Sequence, residues 1–119
     1  MLEIIEKYLR KSFGEKLSIK VGADAEIYPA LLITFQNLEI IGKMHEDVFL
    51  LKLRITHIEE AENQIAFLKR SQDIYQHLKE IAQHEEQVLG VLKLNSCFKK
   101  HNETFINEFE YEVLGSQNL

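Results

Sequence analysis

The chain has 119 residues, 45% hydrophobic and 28% charged, with 14 Lys and Arg against 19 Asp and Glu for a formal charge of −5. That length and balance describe one globular domain with a single core and little room for a deep substrate pocket. The acidic surplus weighs against nucleic acid as the main partner, because phosphate contacts draw on a surplus of Lys and Arg.

In chain order, residues 2–13 read as an amphipathic helix. Leu2, Ile5, Tyr8, Leu9 and Phe13 recur at three- and four-residue spacing, charges fill the other side, and Gly14 is a natural stop. A short alternating piece at 17–21 ends at Gly22, and 22–26 reads as a loop. Residues 27–35 predict a strand. Pro29, the single proline, has no N–H for a ladder and so belongs to the strand's first residues or to a sheet edge. Residues 36–41 continue the strand through a bulge, and 42–47 read as the turn. The strongest strand is 48–58, with Phe49, Leu51, Leu53 and Ile55 on one face and Lys52, Arg54 and Thr56 on the other. Apolar Val48 and Leu50 at its start ask for a central place in the sheet or a covering partner.

Residues 59–63 form an acidic junction suited to a helix N-terminus. The helix is expected over 63–82, with a stripe of Ile65, Leu68, Tyr75, Leu78 and Ala82, widened by Phe67, Ile74 and Ile81. Polar residues 83–87 close it. Residues 88–98 predict a strand with Leu92, Leu94 and Phe98 on one face, 99–104 a polar turn, and 105–114 the closing strand of a hairpin. There Phe109, Tyr111 and Val113 alternate with Glu108, Glu110 and Glu112, the pattern of a half-buried antiparallel strand. Residues 115–119 read as a frayed tail. The expected fold class is α+β. The order is α-β-β-α-β-β with an optional extra strand at 17–21, in a small mainly antiparallel or mixed sheet packed with one long helix. The expected domain is 1–119.

No catalytic motif emerges. Of the five histidines, His77 and His84 stand seven apart, about 10 Å along a helix, too far for one metal. They read as solvated, as does the Lys99-Lys100-His101 turn, and His45 falls in the turn expected at 42–47. His57 continues the apolar face of 49–55 and reads as a hydrogen-bonded histidine at a strand end. Ser71 lacks a nucleophile elbow. Cys97 is the single cysteine; it excludes an intrachain disulfide and reads as a small core residue or half-buried thiol. Glu108, Glu110 and Glu112 lie about 7 Å apart along one face and read as a solvated face, or alternatively as a negative wall in a pore or interface. Glu59, Glu60 and Glu62 suit helix N-terminal electrostatics. No glycine-rich phosphate loop is present. Catalytic, cofactor-binding and metal residues are therefore assigned to none, cofactors to none, and an enzyme is not expected.

The N-terminus carries Glu3 where a signal peptide would be basic, and no uncharged stretch reaches the roughly 20 residues of a membrane span, so a cytoplasmic protein is expected. The apolar runs at 30–33 and 48–51, with the broad helix stripe, exceed the needs of one small sheet-and-helix layer. They favour a homo-oligomer.

The layout as a whole resembles the tail-terminator (tail-completion) proteins of long-tailed bacteriophages and related prophages. It runs from the helix Leu2-Glu3-Ile4-Ile5-Glu6-Lys7-Tyr8-Leu9-Arg10 through Tyr28-Pro29-Ala30-Leu31-Leu32-Ile33 and Asp47-Val48-Phe49-Leu50-Leu51-Lys52-Leu53-Arg54-Ile55. The helical segment Ile74-Tyr75-Gln76-His77-Leu78 and the closing Phe105-Ile106-Asn107-Glu108-Phe109-Glu110-Tyr111 complete it. The resemblance implies a hexameric ring on the end of the tail tube, partnered by tube and head-completion proteins, without an active site. It carries no individual functional residue across. A small adaptor or secretion-chaperone-like dimer is the alternative.

Overall fold

The structure, a computed structural model, describes residues 2–22, 27–43, 46–60 and 63–118. Helix α1 (Leu2–Phe13) is followed by strands β1 (Ser18–Val21), β2 (Ala30–Lys43) and β3 (Glu46–Glu60), helices α2 (Gln64–Lys79) and α3 (Ile81–His84), and strands β4 (Val88–His101) and β5 (Thr104–Asn118). The strands form one sheet in the order β1-β2-β3-β5-β4. Among the described strands, β1 pairs parallel with β2 and the other pairings are antiparallel. The fold is the expected α+β type, and the optional strand at 17–21 is β1.

Helix and strand bury their apolar residues in one seam. Ile5, Tyr8 and Leu9 of α1 and Ile74 and Leu78 of α2 meet Leu31, Ile33, Leu51, Leu53, Ile55, Phe109, Tyr111 and Val113 of the sheet. The buried strand residues are odd-numbered in β3 and β5, because residues paired across the two strands share a face and successive residues along a strand do not. α1 ends at Gly14, whose N–H donates to the Arg10 carbonyl; a β-carbon at Gly14 would collide with that same oxygen. The Tyr8 hydroxyl donates to the His77 carbonyl at 2.6 Å and ties α1 to α2.

Several boundaries differ from the sequence reading, each for a local reason. β3 and β5 are longer than the apolar pattern. Residues 115–118, read as a frayed tail, pair with the start of β3 from Phe49↔Gly115 to Glu46↔Asn118. In the hairpin after β2, Gly42, Lys43, Glu46 and Asp47 are strand residues, and 44–45 lie outside the described residues. The loop expected at 22–26 also falls outside them beyond Gly22, which takes φ +64°. The polar turn expected at 99–104 shrinks to Asn102-Glu103, with Asn102 left-handed at φ 57°, a conformation asparagine tolerates. The long helix stops at Lys79, and α3 follows after Glu80.

The helix stripe is rotated from its expected position. The buried residues of α2 are Phe67, Ser71, Ile74 and Leu78, while Ile65 and Leu68 are exposed. The polar Ser71 within the buried line hides the true period. Leu92 and Phe98 do not share a face either. A bulge at Leu94 shifts the register between them, so Leu92 pairs with Glu112 on the helix-free side and Phe98 with Asn107 on the helix side.

The Tyr111 hydroxyl is buried among the described residues with no hydrogen-bond partner, and burial raises its pKa. Removing that hydroxyl removes an unsatisfied group. Tyr111→Phe is expected to stabilise the chain by about 1 kcal/mol in urea titrations; a loss of stability would show that the oxygen has a partner.

Candidate assembly surface

Outside the apolar seam, the described residues carry two polar constructions and two free sheet edges. The first construction is buried. His57 and Glu59 follow Ile55 on the covered face of β3, where the apolar alternation ends, and Ser71 faces them from α2. His57 is fully buried, its Nδ1 2.6 Å from the Ser71 hydroxyl and its Nε2 2.6 Å from Glu59 Oε2. Arg70 forks onto the same carboxylate, with Nε donating at 2.7 Å to Oε2 and Nη2 at 2.6 Å to Oε1. Phe67 stacks on the imidazole with ring centroids 4.5 Å apart.

Burial pushes the His57 pKa down. Glu59 opposes this, and the Arg70 charge adds to the lowering. A neutral imidazole with its proton on Nε2 satisfies every contact: Nε2–H donates to Glu59, and the Ser71 hydroxyl donates to Nδ1. The Glu59 hydrogen bonds raise the Arg70 pKa further. Serine, histidine and glutamate thus stand in line, yet the arrangement is closed. The histidine is fully buried, Ser71 lies inside a helix at 1% exposure, and the carboxylate is held by a guanidinium. What the network does is pin α2 to β3.

The second construction lies on the opposite sheet face, which no helix covers among the described residues. Glu108, Glu110 and Glu112 stand there in a row, each beside a cation or its register partner. Arg54 Nη2 is 3.0 Å from Glu110 Oε1, Lys99 Nζ is 3.6 Å from Glu108 Oε1, and Lys52 pairs in register with Glu112. The row is a set of cross-strand charge pairs.

The edges belong to β2 and β4. β1 covers β2 only from Ala30 to Ile33, which leaves residues 34–43 without an outer strand among those described. Among the described residues β4 has no outer strand along its length. Leu38, Ile40 and Ile41 of β2 and Leu89, Leu92 and Leu94 of β4 are all at least 41% exposed.

The residues singled out from sequence fall as follows. His57 is hydrogen-bonded at the strand end, as expected. Glu59 is not a helix N-terminal charge. It sits in β3 and belongs to the buried network, Glu60 closes the same strand, and Glu62 lies outside the described residues, as does His45. Cys97 is an exposed residue of β4 rather than a core or half-buried thiol. His77 contacts the Phe13 ring edge-on and His84 stacks on Tyr8, both exposed beside a groove of about 470 Å³ with Lys7 and Lys11. His101 ends β4, exposed. Arg70 and the burial of Ser71 escaped the sequence reading. The available signal was that His57, Glu59 and Ser71 continue apolar lines at strand and helix spacing. Among the described residues no helix is long and apolar enough to cross a membrane.

No family model and no curated protein matches the sequence. A chain in the virion of a native gene transfer agent (GTA) particle shares the fold. Its TM-score is 0.53 at 5% identity, over 95% of this chain and 92% of that one. At that identity the likeness is one of fold.

Arg70→Ala leaves the Glu59 carboxylate without its fork. Breaking a buried pair costs about 3–5 kcal/mol. With the Arg70 side chain 46% exposed, solvent screens part of this, so a loss of about 2 kcal/mol is expected by urea denaturation. A change within error would mean the fork contributes nothing. The unfolded chain protonates His57 before the folded one does, because the folded pKa is the lower. The stabilisation is therefore complete above the unfolded value of about 6.5 and is lost as pH falls below it. Melting temperature should drop between neutral and mildly acidic pH, and the drop should shrink in His57→Gln. An unchanged slope in that variant would remove His57 as its source.

Proposed function

We propose that this chain is a structural subunit of a phage-like particle, a tail-terminator-like protein. It would assemble as a homo-oligomeric, hexameric ring on the end of a tail tube and offer a surface to head-completion proteins. The observation that carries the reading is the shared fold, over nearly the whole of both chains, with a chain of a gene transfer agent virion. The closed polar network and the exposed apolar residues along two strand edges support it, because they describe a chain built around surfaces rather than a reaction pocket. In this reading the partners are further copies of the chain and the tube and head-completion proteins. Assembly takes place in the cytoplasm and ends on the tail.

Light scattering coupled to size exclusion, from micromolar to near-millimolar protein, tests the self-association. The expected outcome is a closed hexamer with a central hole in negative-stain micrographs, and end-binding when purified tail tubes are added. A tight dimer at every concentration would favour a small adaptor that holds an extended peptide, and tubes with bare ends would end the terminator reading.

A further inference from the structure

The two free edges match one another. The register from β2 through β3 and β5 to β4 places residues at common levels across the sheet. Leu92 is level with Glu112, Lys52 and Asn37, and Val88 with Gly115, Phe49 and Ile40. On this scale residues 34–40 of β2 stand at the level of residues 88–95 of β4, and 41–43 run past its start. The exposed residues Leu38 and Ile40 on one edge and Leu89, Leu92 and Leu94 on the other fall in that shared band, with Leu38 and Ile40 on the helix side and Leu92 on the helix-free side.

The bulges match as well. β2 takes extra residues at Gln36 and Ile41, opposite Leu53–Lys52 and Phe49–Val48 of β3. Through β3 these are the levels of Tyr111–Glu112 and Gly115–Ser116 in β5. β4 takes its extra residues at Leu89 and Leu94, opposite Gly115–Leu114 and Tyr111–Glu110. Each bulge on one edge thus lies one β5 residue from a bulge on the other. A bulge bends its strand, so the two edges bend at nearly the same heights.

Exposed edges are ordinarily guarded by lysines that project across them. The lysines of β4 are turned onto their own sheet and helix layer instead. Lys93 Nζ lies 4.5 Å from the Tyr75 ring centroid, Lys99 Nζ 3.6 Å from Glu108, and Lys100 Nζ 5.5 Å from the Phe105 ring centroid.

We propose that copies of this chain join edge to edge, the outer edge of β4 in one copy pairing antiparallel with residues 34–40 of β2 in the next. The proposal rests on the ring reading above and names the surface that makes the ring. β2 and β5 run one way and β3 and β4 the other. A rotation about an axis along the strands preserves those directions, so β4 meets the next β2 antiparallel. The contact is heterologous, each copy giving one edge and receiving the other, which is the arrangement that closes into rings. Backbone N–H and C=O groups supply the affinity, and the apolar band fixes the height of pairing.

Cross-linking tests it. In a Cys97→Ser background, Asn37→Cys and Leu92→Cys occupy one level on the helix-free face. The chain carrying both, treated at near-millimolar concentration with a short bismaleimide, is expected to give a ladder of multimers that stops at the ring size. A mixture of the two single variants should stop at dimers. Leu38→Lys and Leu92→Lys should each abolish the ring without lowering the melting temperature. Ile65→Lys, exposed on α2 away from both edges, should leave the ring intact. Dimers from Leu92→Cys alone would mean β4 pairs with β4 about a two-fold axis, and overturn the proposal. Rings that persist with no ladder and ignore both edge lysines would overturn it and leave the ring reading standing. A chain that neither cross-links nor associates at any concentration would overturn both.

Discussion

The pairing of β3 with β5 is the constraint on which the rest of the molecule depends. It runs in unbroken register from Glu46↔Asn118 to Glu60↔Thr104, while the register shifts of β2 and β4 fall in their pairings with these strands. A slip of one residue would turn one strand over against the other. Either Leu51, Leu53 and Ile55 or Tyr111 and Val113 would leave the seam, and Lys52 and Arg54 or Glu110 and Glu112 would be driven beneath the helices in their place. The apolar alternation on both strands therefore sets the register, and the register sets which face the helices cover. Irregularity is left to the outer strands, where a bulge bends an edge without disturbing the core.

Within that frame the buried network decides how α2 lies. An apolar stripe alone would let the helix roll between neighbouring faces, and Ile65 and Leu68 offer it an alternative stripe. Ser71 and Arg70 remove the ambiguity, because one hydroxyl must reach His57 Nδ1 and one guanidinium must meet Glu59. Buried polar groups of this kind add little net stability when fully paired, and penalise arrangements that leave them unpaired. The stacking of Phe67 on His57 places the network against the aromatic group of Phe67, Phe98 and Phe105 at one end of the sheet.

The parts legible in the sequence were those written as period. The helix at 2–13 and the faces of residues 51–55 and 109–113 follow from spacing, and the fold class follows from their order. The structure departed from pattern where a tertiary partner replaced an apolar residue. Ser71 reads as a break in a stripe until His57 is placed opposite it, and Glu59 reads as a helix-start charge until Arg70 is seen to reach it. Residues 115–118 carry no apolar alternation, and they become strand because β3 offers them a ladder. The two edges were legible only as an apolar surplus, since which strands lie outermost depends on pairings that no local pattern encodes.

The contrast between the helix-free face and the edges bears on where a partner can sit. On the open face the carboxylates of Glu108 and Glu110 already hold Lys99 and Arg54, and Glu112 faces Lys52 in register. A partner laid over that face would strip water from those charges, and the desolvation of each ion costs several kcal/mol unless the partner supplies matching groups. At the edges the balance is reversed. Leu89, Leu92, Leu94, Leu38, Ile40 and Ile41 already lie in water, and their burial returns about 25 cal/mol for each Å² of apolar surface removed. The backbone groups beside them also gain partners when a strand is added. In the proposed edge-to-edge pairing the sheet would grow in its own plane rather than stack on its open face, and its charge row would stay as a set of cross-strand pairs.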